Sequence, residues 1–364
     1  MPTDGALSSA AGTRTFVTPF AFESTRVRVP AAAAVESDRA LIGDLQERMI
    51  IVFGDQTVAR AFADAPPTAA ASLEVNLNAK MLRPRHMEAM ASLARGGRLR
   101  GVAELQLGSN QLGDEGAGHF AAALAGMPAL ATLNLSHCHI GDAGLCALAA
   151  ALGRGACPRL ALLTMPENGG VGDEGASALA GSLGALAALV ELRLTKARLG
   201  DAAAAAIAAA IARGHCGAMR KLWLYDNRIG DAGAASLAAA VRGGGVPHLM
   251  LHLANNQIGD AGAEAFAAAC SAANAPILHQ LSLAGNQITD RGCAALVGSL
   301  GAPRIAKLLL TSNRIGDAGA RLLAAAFDAG GLALSDLTME GNPIGDEAKA
   351  ELKRAAAARG LLLC

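Results

Sequence analysis

A unit close to LxxLxLxxNxIGDxGxxxLAxAL recurs from Leu105 to the carboxy-terminal end of the sequence. A chain with such a period folds by stacking the unit on itself, each copy meeting only its neighbours. The paired strand leucines are Leu105/Leu107, Leu133/Leu135, Leu163/Met165, Leu192/Leu194, Leu222/Leu224, Leu251/Leu253, Leu281/Leu283, Leu308/Leu310 and Leu337/Met339. A weaker earlier copy, Val75/Leu77, makes ten. Leu105 and Leu337 stand 232 residues and eight steps apart, a mean period of 29.

Each part of the unit has a physical reason. The alternating LxL is a short strand with both leucines on one buried face. The Asn three residues later (Asn110, Asn168, Asn227, Asn256, Asn286, Asn313, Asn342) is expected to bond backbone groups of its own turn and of the adjacent unit. The Asp of the following Gly-Asp pair precedes an apolar helical pattern, and the expectation is that it caps the helix it precedes. Pairs six and ten residues beyond it, such as Phe120/Leu124, Ile207/Ile211 and Leu237/Val241, share one helix face. Pro128, Pro158, Pro247, Pro276 and Pro303 end helices before the next strand.

Strand–turn–helix units of this kind give a parallel sheet with helices on one side. Strands stack about 4.8 Å apart and helices about 8–10 Å apart, so the stack bends. The expected fold is an α/β right-handed horseshoe of about ten repeats, strands concave and helices convex, over residues 71–360. Residues 1–35 read as a flexible segment and 36–70 as a helical cap on the solenoid core, with Ser37–Phe53 amphipathic.

The LxxLxLxxNxIGDxG unit with a helix in each repeat resembles the ribonuclease-inhibitor-like leucine-rich repeats. That family includes Ran GTPase-activating proteins and the repeat regions of nucleotide-binding immune receptors. The resemblance implies a horseshoe that binds proteins, with activation of a small Ran-like GTPase as the alternative. The Ran activators end in a long acidic tail, whereas this sequence ends KAELKRAAAARGLLLC. It also lacks the cysteine-rich composition of the ribonuclease inhibitor.

Composition narrows the function classes. Apolar residues make up 52% but aromatics only 3%, so Ala, Leu and Gly carry the packing. Formal charge is zero, which supplies no global field for nucleic acid or an anionic membrane. Seven scattered cysteines without CxxC read as reduced thiols, which points to the cytoplasm or nucleus. The longest apolar run, Ala202–Ala212, is too short to span a bilayer.

No catalytic set is evident, and a non-enzymatic monomer without cofactor or metal is expected. Gly170-Val171-Gly172-Asp173-Glu174-Gly175 matches GxGxxG only through one extra Gly in the repeat slot, and its two acids would repel a pyrophosphate. His137-Cys138-His139 offers too few converging ligands for a metal, because Cys138 holds the inward Asn position. The row of aspartates has a capping role and is too widely spaced to share calcium.

Residues between the leucines project from the concave sheet. Their middle row runs Gln106, Asn134, Thr164, Arg193, Trp223, His252, Ser282. The only Trp and the only Tyr, Trp223 and Tyr225, therefore share one concave strand, with Arg193 and His252 as expected lateral neighbours. Exposed Trp, Tyr and Arg often dominate binding energy. The expected partner-binding set is Trp223, Tyr225, Arg193, His252, Lys221, Lys196 and Asp226. Lys196, Arg198 and Arg228 suggest a partner with an acidic surface. Two irregularities fall nearby, an extra residue at Gly169-Gly170 and Ala197 in place of the ladder Asn, and a local rule broken without compensation can mark function.

Overall fold

The structure, a computed structural model, describes residues 73–271, 278–300, 305–331 and 334–361. The expectations for residues 1–35 and 36–70, and for Pro276 and Pro303, lie outside the described residues. Among the described residues ten strands form one parallel sheet in chain order. They are β1 (Leu73–Asn76), β2 (Val102–Gln106), β3 (Thr132–Asn134), β4 (Leu162–Thr164), β5 (Glu191–Arg193), β6 (Lys221–Trp223), β7 (Met250–His252), β8 (Leu278–Ser282), β9 (Ile305–Leu309) and β10 (Asp336–Thr338). Each strand is followed by a helix. These are α1 (Pro84–Arg95), α2 (Gly113–Leu124), α3 (Asp142–Gly153), α4 (Asp173–Ser182), α5 (Asp201–Ala212), α6 (Asp231–Arg242), α7 (Asp260–Cys270), α8 (Asp290–Ser299), α9 (Asp317–Asp328) and α10 (Asp346–Ala357).

Register follows the repeat. Leu105, Leu133, Leu163, Leu192, Leu222, Leu251, Leu281, Leu308 and Leu337 pair in sequence across the sheet and are all buried. The helix residues six and ten positions after each Asp, Ile207 and Ile211 among them, close the other side of this core.

The Asn ladder forms as expected. Asn227 Oδ1 accepts from the backbone N–H of Ala197 (3.3 Å) and Leu199 (3.2 Å), while its Nδ2 donates to the carbonyls of Leu194 (2.8 Å) and Leu224 (3.0 Å). One side chain thus ties two repeats together. Cys138 substitutes for Asn with a buried thiol that donates to Leu107 O at 3.2 Å, and burial pushes this thiol up to about 11.

The aspartates correct the capping expectation. In most repeats the helix starts at Asp and the N-cap is the preceding Gly. The Asp carboxylate serves the next repeat instead. Asp231 Oδ1 accepts from Gly259 N (2.7 Å) and Gly262 N (2.9 Å), the N-cap and third helical residue of α7. Asp114, Asp142, Asp173, Asp201, Asp260 and Asp290 make the same pair of bonds one repeat onward. An anion at a helix start is favourable there, because the first N–H groups have no partner within the helix. The second Gly of IGDxG follows from this contact, since a Cβ on Gly262 would stand 2.8 Å from the Asp231 carboxylate. Where Ala203 replaces that Gly, the bond to Asp173 lengthens to 3.1 Å. Replacing Asp231 by Ala is expected to cost about 1–3 kcal/mol, from two N–H groups losing a charged acceptor, measured as the shift in urea unfolding.

The two irregularities compensate each other, which removes the functional reading placed on them. In regular repeats the apolar residue two positions after the ladder site donates its N–H to the next repeat's Asn, as Leu199 does to Asn227. Ala197 cannot accept such a bond. The extra residue at Gly169-Gly170 lets Val171 N turn back onto Asn168 O at 3.0 Å instead.

Candidate functional site

Strands β5, β6 and β7 place Arg193, Trp223 and His252 side by side, in the register Arg193–Trp223–His252. Period-2 alternation holds Leu222 and Leu224 in the core and turns Trp223 and Tyr225 to the concave face. The imidazole of His252 stacks on the indole with centroids 3.8 Å apart and planes 11° from parallel. From the opposite neighbour, Arg193 Cζ lies 5.3 Å from the indole centroid, within cation–π range. Tyr225 meets the same indole edge-on at 6.3 Å.

Trp223 is therefore half-buried in a stack rather than standing free. Its Nε1 and the Nε2 of His252 are buried and have no hydrogen-bond partner among the described residues.

Glu191, which lay outside the expected set, organises this stack. It is buried at the base of β5; its Oε1 takes both Arg193 Nε (2.6 Å) and Nη2 (2.5 Å), and its Oε2 meets Lys221 Nζ at 3.3 Å. The signal was present in the sequence, since residues 191 and 193 share a strand face and carry opposite charge.

Lys196 and Asp226 belong to a second row, just before each ladder site, where the backbone takes positive φ (Glu167 60°, Lys196 52°, Asp226 57°, Asn255 52°). Their N–H groups continue the inter-strand bonding, so the side chains stand in line along the sheet edge. Glu167 binds His137 Nε2 (3.2 Å) and Lys196 Nζ (2.7 Å), and Asp226 accepts from Asn255 Nδ2 (2.7 Å). Hydrogen bonding to Glu167 raises the Lys196 ammonium above its ordinary range. The basic edge expected from Lys196 and Arg198 is thus largely spent internally, with Arg198 Nη2 also bonding Gly170 O at 3.2 Å. Lys221 is spent on Glu191 in the same way.

Elsewhere, His137-Cys138-His139 does not converge, because Cys138 points into the core while His137 faces Glu167. In the GxGxxG match, Gly172 and Gly175 donate their N–H groups to Asp142.

Burial lowers the His252 pKa to about 4, opposed by Glu191 and assisted by Lys221 and Arg193. In the unfolded chain a histidine titrates near 6.5. Between those values the unfolded state holds the extra proton, so folding stability falls as pH drops from about 6.5 to 4 and is unaffected above. The expected loss through this residue is about 2–3 kcal/mol. His252→Phe, which keeps a flat ring against Trp223, should remove that part of the difference between urea titrations at neutral and acidic pH.

Five segments, residues 103–121, 128–149, 247–267, 275–297 and 307–324, match the family model described as Leucine Rich repeat. No curated protein sequence matches the chain. Among solved structures, it is similar to internalin InlF of Listeria monocytogenes, with 19% identity over 72% of this chain and 75% of that one and a TM-score of 0.41. It is also similar to a chain of the yeast Rad7 and Elc1 complex, with 14% identity over 88% and 85% and a TM-score of 0.39. A third likeness is to a chain from the complex of the Arabidopsis receptor kinase HAESA with the peptide hormone IDA and the co-receptor SERK1. Identity there is 14% over 69% of this chain and 39% of that one, with a TM-score of 0.34.

Proposed function

We propose that this chain, whose repeating units are leucine-rich repeats, is a non-enzymatic protein-interaction module that takes its partner on the concave sheet around Trp223. The observation that carries this reading is the Arg193–Trp223–His252 stack. It gathers the chain's only Trp and only Tyr on one solvent-facing strand, and Glu191 fixes its cation. A prearranged aromatic and arginine cluster loses little entropy on binding, which is how a small patch comes to dominate an interface. Two buried ring nitrogens without partners add to this, since such groups are costly in a free chain. Lys221, Tyr225, Lys196 and Asp226 flank the stack.

Activation of a small GTPase rests on family resemblance alone, and no residue here carries it. The test is affinity capture with the wild-type chain against a Trp223→Ala, Arg193→Ala double variant. The proteins lost specifically from the variant, with thermal unfolding unchanged within a few degrees, are the concave-face partners. Identical captures would place the binding surface elsewhere.

A further inference from the structure

The zero formal charge of the chain conceals a one-sided distribution. Between each helix and the following strand the first six repeats run through residues 95–101, 125–131, 154–161, 183–190, 213–220 and 242–249. These segments contain no Asp or Glu. They contain eight arginines and no lysine. Arg95, Arg154, Arg213 and Arg242 stand at helix ends and are exposed. Arg100, Arg159 and Arg220 stand on the strand side and are exposed as well, with Nη1 of Arg220 donating to the carbonyls of Gly217 (3.0 Å) and Met219 (2.9 Å).

Among the described residues none of these arginines makes an ion pair. The acids that would neutralise them are held on the opposite edge, where the repeat fixes an Asp at each helix start to cap its neighbour. Glu191, the acid immediately after one of these segments, is tied to Arg193 and Lys221. The segment after α9 differs, since Asp328 stands at its start.

Complementing the helix dipole explains an arginine at a helix end, but not the strand-side arginines or the exclusion of acids from six successive loops. We infer that this rim, separate from the concave stack, is a second interaction surface for an acidic protein segment. Guanidinium groups pair with carboxylates in a two-bond fork. The strand-side arginines of alternate repeats are about 10 Å apart from twice the strand spacing, and the helix-side ones about 16–20 Å apart from twice the helix spacing. A segment with several Asp or Glu side chains meets both rows at once. The rim segments hold no Phe, Trp or Tyr on which unpaired bases could stack. Val190 is their only exposed large hydrophobic side chain, which gives a bilayer little to hold. A neutral chain with an acidic opposite edge suits a short segment that touches the rim alone, since screening confines these charges to about 8 Å at physiological salt.

The test is fluorescence anisotropy of a labelled Asp/Glu peptide of about twelve residues, titrated with the full chain at low salt. Binding is expected to weaken at least tenfold in an Arg154→Gln, Arg159→Gln, Arg213→Gln variant with an unchanged unfolding midpoint. The corresponding Lys variant should retain most of the affinity, and the Trp223→Ala, Arg193→Ala variant should retain all of it. Absence of binding to the wild type, or affinity within twofold in the Gln variant, would overturn the inference. Tighter binding of duplex DNA or of phosphatidylserine vesicles than of the peptide would overturn the assignment to a protein partner.

Discussion

Replacing Asn227 by alanine is expected to lower the stability of the chain by about 3–5 kcal/mol. The side chain accepts from Ala197 N and Leu199 N and donates to Leu194 O and Leu224 O. Leu199, Leu194 and Leu224 are buried, so water cannot take its place. A buried polar group left without a partner costs about 1–3 kcal/mol, and two donors and two acceptors are affected together. The natural alanine at position 197 does not contradict this. The repeat before it carries an extra residue that redirects Val171 N to Asn168 O, whereas the repeat before Asn227 has no insertion. Urea unfolding checks the prediction, and a loss below about 1 kcal/mol would show that water satisfies the ladder.

The second large effect concerns binding. Removing Trp223 and Arg193 together should weaken the partner's affinity by about 2–4 kcal/mol, roughly 30- to 1000-fold. Stability should change far less than affinity, because Leu222 and Leu192 of the same strands stay in the core. Arg193 must be removed with care for Glu191. Its loss leaves a buried carboxylate facing Lys221 alone, so Trp223→Ala by itself is the cleaner variant and should account for most of the affinity change. Isothermal titration with a captured partner separates the two contributions.

Much of this fold was legible in the sequence because its two periods are physically distinct. Alternation of two in LxL gave the strands and their buried face, and recurrence near 29 gave the stacking and the ladder role of Asn110 through Asn342. The aspartates were misassigned for a reason inherent to repeats. From α2 onward every helix has its own Asp in its first turn, so the sequence does not distinguish capping of that helix from capping of the next. The backbone geometry favours the latter, because in most repeats the N-cap is the Gly before the Asp and its N–H points at the neighbouring carboxylate. For the candidate site, the phase of Trp223 and its lateral neighbours followed from register. Side-chain pairing did not, because Glu191 competes for Arg193 and Lys221, and Glu167 for Lys196. These pairings turned a basic concave edge into a nearly neutral one.

With Arg193, Lys196 and Lys221 held by Glu191 and Glu167, the exposed cationic charge lies on the helix-end rim, so the two surfaces make separable demands. The concave stack offers rings and one fixed guanidinium, whereas the rim offers exposed arginines that make no ion pair among the described residues.

Trp223 is the only tryptophan, so a chain labelled with 5-fluorotryptophan carries a single fluorine resonance from the centre of the proposed interface. Adding a captured partner is expected to shift or broaden that resonance, with saturation at the stoichiometry found by titration. A resonance left unmoved by a saturating partner would contradict binding at the concave stack.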